Sequence, residues 1–321
     1  MSVLVYTENW EGKFKKLSFE LLSYASEIAA QINTQVVALS IGQVAEDELK
    51  KLGNYGASKI VSVDYGNGQL DNQVYTSAIA QLAEKEDASI IVLSDNFTGK
   101  ALAPRISAKL KAGLVSGAIA LPASYDPFVV KKKAFTGKTF VHVKVNSDKK
   151  VISLTGNSAE IKETENKAVI ENITLTLADA KTTVEKVDKL TGQILLTDAE
   201  VVVSGGRGMK SGDNWGPLEE FAGVLGAATA CSRPVSDEEW RPHHEHVGQT
   251  GKIIAPNLYF ALGISGAIQH IAGVSGSKIL VAVNKDPDAP VFEVADYGIV
   301  GDVNKILPQF IEAAKELKAN S

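Results

Sequence analysis

The chain has 321 residues, of which 45% are hydrophobic and 22% are charged, a composition typical of a soluble globular protein of about two domains. Its net charge of -5 provides no basic surface for nucleic acid or an anionic membrane. The apolar runs are strand-sized, which excludes insertion as a membrane-spanning helix. The single cysteine, Cys231, excludes an internal disulfide and an all-thiolate zinc or iron–sulfur site.

The N-terminus leads directly into a strand-like run at residues 3–6. It has neither the basic and apolar regions of a signal peptide nor the Arg-rich pattern of a transit peptide. We therefore expect a cytoplasmic bacterial protein. A location in the mitochondrial matrix would require a transit peptide that has been removed.

In the first part of the chain, apolar runs alternate with segments of helical periodicity. This pattern predicts strands at residues 2–6, 36–41, 59–63 and 88–94, and helices at residues 17–32, 46–52, 72–85 and 98–111. Such alternation is typical of a parallel sheet that is covered by helices on both faces.

The pattern changes after residue 113. Turn residues separate four short runs, which indicates an antiparallel extension of the first sheet at residues 114–121, 129–134, 139–145 and 151–154. A polar stretch follows, with one strand-like segment at residues 168–177. The charged, turn-rich residues 184–191 predict a boundary between an N-terminal domain, residues 1–188, and a C-terminal domain, residues 189–321.

The second domain is predicted to be organised around residues 247–302. Its strands are predicted at residues 200–204, 228–232, 258–264 and 279–283, with helices that begin at Pro217, near Ser265 and at Val303. Apolar runs that end in Gly, Ser or Asn are typical of buried parallel strands whose carboxyl ends carry functional residues.

Two of these strand ends carry features suited to phosphate. Ser265-Gly266 lies between a strand and the expected start of a helix, where free backbone N–H groups favour an anion. Arg207 stands within Gly205-Gly206-Arg207-Gly208, and a guanidinium can hold a diphosphate bidentately. The glycine spacing differs from that of a dinucleotide fingerprint, so a simple turn is an equal alternative.

Further polar residues end or follow predicted strands. A ligand site at the carboxyl edge of the sheet would bring together Arg233, Asn284 and Asp302. The alternatives are a surface salt bridge for Arg233 and a helix cap for Asp302. His270, in the helix after Ser265, is either a site residue or a structural histidine.

A loop rich in histidine gives a weaker signal. His243, His244 and His246 crowd this loop with Glu245, but no fourth ligand is evident, so no metal site is predicted. Cys231 has neither a partner cysteine nor an obvious base, so no nucleophile is assigned. The sequence predicts no catalytic residue.

Several of these segments together resemble the alpha subunit of electron-transfer flavoprotein: residues 204–208, 232–233, 247–251, 258–270 and 284–302. The run Gly263-Ile264-Ser265-Gly266-Ala267-Ile268-Gln269-His270 is highly specific to that family. The N-terminal half is also similar, most clearly at residues 99–105, so the resemblance covers essentially the whole chain. It implies an α/β fold, with an N-terminal parallel domain that has an antiparallel extension and faces a partner, and a C-terminal Rossmann-like domain that binds FAD.

The resemblance also implies roles for individual residues. The ADP half of FAD would be held by Arg207, Ser265, Gly266, Asn284 and Asp302. The flavin ring would be surrounded by Ser232, Arg233, Gln249, Thr250 and His270. The implied cofactor site is completed by Val247, Gly248, Ala267, Ile268 and Gln269. The loop at residues 236–246 departs from the family pattern, which leaves contacts at the flavin edge open.

As a function, the resemblance implies an electron carrier with one FAD and no substrate turnover of its own. The expected partners are a beta subunit that binds AMP, acyl-CoA dehydrogenases of fatty acid β-oxidation as donors, and a membrane quinone oxidoreductase as acceptor. Alternatives are an electron-bifurcating member of the family that uses NADH, a nicotinamide-dependent oxidoreductase, and a non-redox nucleotide-binding protein.

Overall fold

The structure is a computed structural model that describes residues 1–65, 69–135, 137, 139–187 and 194–320. The chain divides into two compact units, Met1–Asp188 and Lys189–Ser321. Residues 188–191 of the expected domain boundary lie outside the described residues. Each unit is built around a sheet of its own.

The first unit combines a large sheet with helices. Its strands are β1 (Ser2–Tyr6), β2 (Asn9–Trp10), β3 (Lys13–Phe14), β4 (Gln35–Ile41), β5 (Lys59–Val63), β6 (Ala88–Ser94), β7 (Gly113–Ala118), β8 (Ser124–Tyr125), β9 (Phe128–Ala134), β10 (Thr139–Val145), β11 (Lys150–Leu154) and β12 (Val169–Ile173). Its α-helices are α1 (Lys16–Gln31), α2 (Glu46–Lys51), α3 (Asn72–Lys85) and α4 (Phe97–Leu110). The alternation of strand and helix predicted for this part of the chain is confirmed.

The large sheet has the strand order β10-β9-β7-β11-β6-β1-β4-β5-β12, and β8 pairs with β9. From β7 to β12 in this order every pair is parallel. Among the described residues of this sheet, the antiparallel pairs all involve β9. The assignment of residues 151–154 to the antiparallel extension was therefore wrong, because β11 is parallel to both of its neighbours. The run predicted at residues 114–121 forms the junction, since β7 pairs parallel with β11 and antiparallel with β9. The chain crosses back after β10, so that β11 inserts between β7 and β6 and continues the parallel sheet.

The parallel strands of this sheet are buried on both faces. In β1, Val3 and Val5 belong to one hydrophobic cluster, which α1 covers. Leu4 and Tyr6 point to the opposite cluster, which α3 and α4 cover. Burial on both faces explains why these strands read as continuous apolar runs and not as an alternation of apolar and polar residues.

The second unit is a smaller parallel α/β structure. Its strands are β13 (Val201–Gly205), β14 (Ala228–Cys231), β15 (Leu258–Leu262), β16 (Ile279–Asn284) and β17 (Tyr297–Val300). Its α-helices are α5 (Gly216–Leu225), α6 (Arg233–Asp237), α7 (Ile268–Val274) and α8 (Val303–Ala319). Short 3-10 turns lie at Arg207–Met209, Gly212–Trp215, His243–Glu245 and Pro290–Glu293.

The strands of the second unit are all parallel, in the order β14-β13-β15-β16-β17. Their carboxyl ends therefore meet at one edge of the sheet, and the loops that follow β13, β14, β15 and β16 leave from that edge. The α/β class predicted for the chain is confirmed. None of the described helices combines the length and the apolar character that a membrane crossing requires.

Candidate functional site

A cavity of about 720 Å³ opens at the carboxyl edge of the five-stranded sheet. Its walls are the loops that follow β13, β14, β15 and β16, the turn at residues 246–250, and the start of α8. Ligand and cofactor pockets usually measure about 300–1,000 Å³. The cavity therefore has the size of a cofactor site.

All but two of the residues predicted for the site line this cavity. The exceptions are Gly266 and Ile268. The lining residues that the sequence singled out are Arg207, Ser232, Arg233, Val247, Gly248, Gln249, Thr250, Ser265, Ala267, Gln269, His270, Asn284 and Asp302. The parallel sheet brings these separate segments together because each follows a strand that ends at the same edge.

Gly266 turns the chain ahead of α7. Its φ of +85° lies in the left-handed region, and a Cβ at this position would lie 2.3 Å from the backbone nitrogen of Val291. The prediction that the helix begins near Ser265 was wrong, because α7 begins at Ile268 with Ala267 as its N-cap. Ile268 is 48% exposed and does not contribute to the cavity wall.

The segment before α7 offers donors for an anion. From Ser265 to Gln269, the backbone N–H groups have no backbone acceptor among the described residues. Arg207, Lys210 and Lys285 line the same cavity. Free N–H groups together with cationic side chains form the environment that phosphate groups require.

The glycines beside Arg207 have a packing role. A Cβ at Gly206 would lie 2.3 Å from the carbonyl oxygen of Gly263, and a Cβ at Gly208 would lie 2.6 Å from the Cα of Gly263. The Gly208 N–H also donates to the Gly263 carbonyl at 3.0 Å. The simple-turn interpretation fits these glycines, whereas the exposed Arg207 lines the cavity.

Asp302 and Asn284 line the cavity and also have structural partners. Asp302 caps α8 by accepting from the Asn304 N–H at 3.0 Å, and it pairs with Lys210 at 2.9 Å. The Lys210 ammonium and the cap lower the pKa of Asp302 to about 2. Asn284 donates to the Ile264 carbonyl at 2.9 Å, which ties the end of β16 to the loop after β15. The cap interpretation of Asp302 is thus confirmed alongside its place in the cavity.

Arg233 opens the short helix α6 at the rim of the cavity. Its Nε lies 3.3 Å from Asp237, and one of its terminal nitrogens lies 3.4 Å from the Thr250 hydroxyl. Both ionic side chains are mostly exposed, so this pair contributes little to stability. The contact with Thr250 joins the end of β14 to the turn that carries Gln249.

His270 sits in the cavity wall with its ring tied to the core. Its Nε2 lies 2.8 Å from the Tyr259 hydroxyl, and Tyr259 is completely buried. Its Nδ1 is enclosed and has no hydrogen-bond partner among the described residues. Burial lowers the pKa of His270 to about 4, so the imidazole is neutral at pH 7. Burial also raises the pKa of Tyr259, which keeps its proton.

The three histidines of the loop after α6 have different environments. His246 is 8% exposed and lines the cavity. His243 Nδ1 lies 2.7 Å from the Ser236 hydroxyl and does not reach the cavity. His244 has an enclosed Nε2 without a partner among the described residues. Sequence reasoning grouped the three and missed His246 as a cavity residue, although its position directly before Val247 was a usable signal.

Cys231, which precedes the cavity residue Ser232, does not provide a reactive thiolate. Burial raises the pKa of the Cys231 thiol to about 12, so it is not a thiolate at neutral pH. Within residues that the structure describes, no group of three or more His, Cys, Asp or Glu side chains is arranged to hold a metal ion. Sequence reasoning also missed Lys210 and Lys285, which line the cavity directly after recognised motifs.

Comparisons with known proteins give matches in both units of the chain. Residues 3–178 match the family model of the electron transfer flavoprotein domain. Residues 195–275 match the model of the electron transfer flavoprotein FAD-binding domain. The second match falls within the unit that contains the cavity and includes most of the cavity wall.

Full-length relatives extend these matches. The chain is 34% identical over 326 residues to the electron transfer flavoprotein subunit alpha of Bacillus subtilis (strain 168), with 99% of each chain covered. It is 35% identical to the subunit alpha of Clostridium acetobutylicum, with 98% of this chain and 96% of the relative covered. It is 33% identical to protein FixB of Clostridium saccharobutylicum over the same shares of the two chains. The chain belongs to the electron transfer flavoprotein family, as an alpha subunit.

Proposed function

We propose that the protein is an electron carrier that binds one FAD in the cavity of its C-terminal unit and has no substrate turnover of its own. The observation that supports this most directly is the convergence of nearly all the expected FAD residues on one cavity at the carboxyl edge of the sheet. That edge is where open α/β sheets bind dinucleotides. The family match over residues 195–275 supports the same cofactor.

The cavity fits FAD in charge as well as in size. Arg207, Lys210, Arg233 and Lys285 provide positive charge for a diphosphate, against the two carboxylates Asp237 and Asp302. The carboxylates already have partners, because Asp237 pairs with Arg233 and Asp302 with Lys210. Arg207 and Lys285 have no such carboxylate among the described residues, so both cations are available to a diphosphate.

The residues divide into two groups along the cavity. Arg207 and the N–H groups at Ser265 and Ala267 would hold the diphosphate, with Asn284 and Asp302 nearby on the ADP side. Gly266 would serve by shaping the turn that presents these N–H groups, since it does not itself line the cavity. This placement leaves the opposite wall for the flavin ring.

The flavin group of residues is Arg233, Ser232, Gln249, Thr250 and His270. When bound, FAD supplies one-electron and two-electron redox chemistry. Arg233 would place a positive charge beside the ring, where it favours added negative charge. His270, neutral and fixed by Tyr259, would contribute a polar wall without a net charge. No general base or nucleophile is required for such a carrier.

An exposed apolar edge in the second unit supports a protein partner. The edge strand β17 is exposed along its whole length and carries Tyr297, Ile299 and Val300. An open strand edge with apolar side chains favours association with another chain. We infer that the partner is a beta subunit that binds AMP, as expected for an alpha subunit of this family.

The redox partners follow from the same proposal. Acyl-CoA dehydrogenases are the proposed donors, and a membrane quinone oxidoreductase is the proposed acceptor. An electron-bifurcating member of the family would instead oxidise NADH and would contain a second FAD. A nicotinamide-dependent oxidoreductase would purify without a flavin spectrum.

Co-expression with a candidate beta subunit tests the proposal. We expect a yellow heterodimer that contains one FAD and one AMP and accepts electrons from a reduced acyl-CoA dehydrogenase. Two FAD per heterodimer together with NADH oxidation would replace it with the bifurcating alternative. A complex without flavin, or electron transfer that persists after FAD is removed, would overturn the proposal.

A further inference from the structure

His246 is a cavity residue without an assigned role. It is 8% exposed and lines the same cavity as Arg233 and His270. No side-chain hydrogen bond joins His246 to another described residue, and its ring nitrogens are not fully enclosed. Buried polar groups are nearly always hydrogen-bonded, so a buried ring whose nitrogens face open space indicates a ligand as the missing partner.

The ring of His246 is held against a tight turn. A Cβ at Gly251 would lie 2.8 Å from His246 Nδ1, and a Cβ at Gly248 would lie 3.4 Å from its Nε2. The preceding residue in the chain, Glu245, is 3% exposed and accepts hydrogen bonds from Arg241 at 2.6 and 2.8 Å, which fixes the backbone ahead of His246. The imidazole therefore packs against this turn and is not an exposed surface group.

Charged groups from two elements face His246. Burial lowers the pKa of His246 below its ordinary value of 6.5, and Arg233 of α6 and His243 of its own loop lower it further. Asp237 of α6 acts in the opposite direction and raises it. The ring is neutral at pH 7, and a negative charge that arrives in the cavity would raise its pKa.

Two other titratable groups near His246 are uncharged before reduction. Burial lowers the pKa of His270, on α7, to about 4. Burial raises the pKa of Cys231, which is paired with His246 through a backbone bridge, to about 12. Neither His270 nor Cys231 changes charge near neutral pH, so neither would take up the proton in place of His246.

We propose that His246 contacts the flavin end of bound FAD and takes up a proton when the carrier accepts its first electron. The inference rests on the proposed function, because that function supplies the cofactor and the donor of the electron. One electron enters the cofactor from the donor, and one proton from bulk water forms an N–H bond at a free ring nitrogen of His246. The cavity then gains no net charge, and no other reactant is needed.

The consequence is a first-electron potential that depends on pH. The first-electron potential changes with pH in the range between the pKa of His246 in the oxidised protein and its higher pKa in the reduced protein. Within this window each pH unit changes the equilibrium tenfold, which is 59 mV for one electron. The potential falls as the pH rises, because proton uptake by His246 becomes less favourable.

Potentiometric titration of the FAD-loaded heterodimer over about pH 5.5 to 8.5, the range in which histidine titrates, tests the inference. His246→Gln keeps a polar side chain of similar size but removes the proton acceptor, and we expect it to bind FAD and to lose the slope. His243→Gln is the matched control. His243 bonds Ser236 outside the cavity, so its variant should keep the slope with a small shift of the window.

A slope retained in His246→Gln would overturn the inference, as would a parent protein whose potential does not change with pH. A parent that binds no FAD would instead refute the proposed function, so the two failures are distinguishable. If His246→Gln does not fold, a second measurement, made on the parent protein, still tests the inference. The pKa of His246, followed by NMR in the oxidised and reduced parent, must rise on reduction, and an unchanged value would equally overturn the inference.

Discussion

Replacing Arg207 with alanine should weaken FAD binding without unfolding the protein. The side chain is exposed, and no carboxylate pairs with it among the described residues. Its removal therefore leaves no buried partner unsatisfied, and the free energy of unfolding of the FAD-free protein should change by less than about 0.5 kcal/mol. The cost should appear only when a diphosphate is present.

The magnitude follows from the kind of contact that is lost. A hydrogen bond that involves a charged group contributes about 1.5–3 kcal/mol. Since 1.4 kcal/mol corresponds to a tenfold change in affinity, the dissociation constant of FAD should rise roughly 10-fold to 150-fold. Arg207→Lys keeps the charge but loses the planar fork of donors, so its effect should be intermediate.

Calorimetric titration of FAD into the FAD-free heterodimer measures this loss. Lys210→Ala is the comparison, because Lys210 is already paired with Asp302 at 2.9 Å and its charge is partly compensated. We expect a smaller loss of affinity for Lys210→Ala than for Arg207→Ala. If Arg207→Ala binds FAD as tightly as the parent, Arg207 is not a phosphate ligand and the assignment of the two ends of the cavity is reversed or wrong.

Three further outcomes are expected. Arg233→Ala should lower the first-electron potential by about 60–130 mV, from a charged contact of roughly 1.5–3 kcal/mol, and an unchanged potentiometric titration would place the flavin elsewhere. Arg241→Met should lower the free energy of unfolding by about 3 kcal/mol in urea, because it leaves the enclosed Glu245 carboxylate unpaired, and a parent-like midpoint would show that the pair is not structural. The pKa of His270 is about 4 when folded and about 6.5 when unfolded, so between these values the unfolded chain binds the extra proton. Stability of the FAD-free protein should therefore fall by up to roughly 3 kcal/mol as the pH drops through this window, and His270→Asn should remove that part of the urea-unfolding profile.

Local sequence patterns were sufficient to predict most of the fold. Residues 72–85 and 88–94 were predicted with the bounds that the structure has, because their periodicity and their flanking turns depend on nearby residues alone. The parallel placement of β11 between β7 and β6 could not be obtained in this way. It depends on where the chain re-enters the sheet after β10, which is a long-range property of the packing and leaves no local signal.

The candidate site shows the same division. Arg207, Arg233 and Asn284 were predicted to meet because each follows a parallel strand, and the structure brings them to one cavity. The start of α7 was misplaced because the contact between Gly266 and Val291 involves a segment far along the chain. His246 was missed because the orientation of its ring depends on its packing against Gly248 and Gly251. The presence of three histidines close together in the sequence does not reveal that packing.

The contact between the loops after β13 and β15 limits how the cofactor site can be altered. Gly206 and Gly208 each meet Gly263 through the backbone, and a Cβ at Gly263 would lie 2.7 Å from the Cα of Gly208. No second substitution can compensate for a side chain at one of these positions, because glycine already provides the smallest possible partner. An engineer who wishes to change affinity or potential must therefore leave these three glycines in place and change cavity side chains such as Lys210, Lys285 or His246.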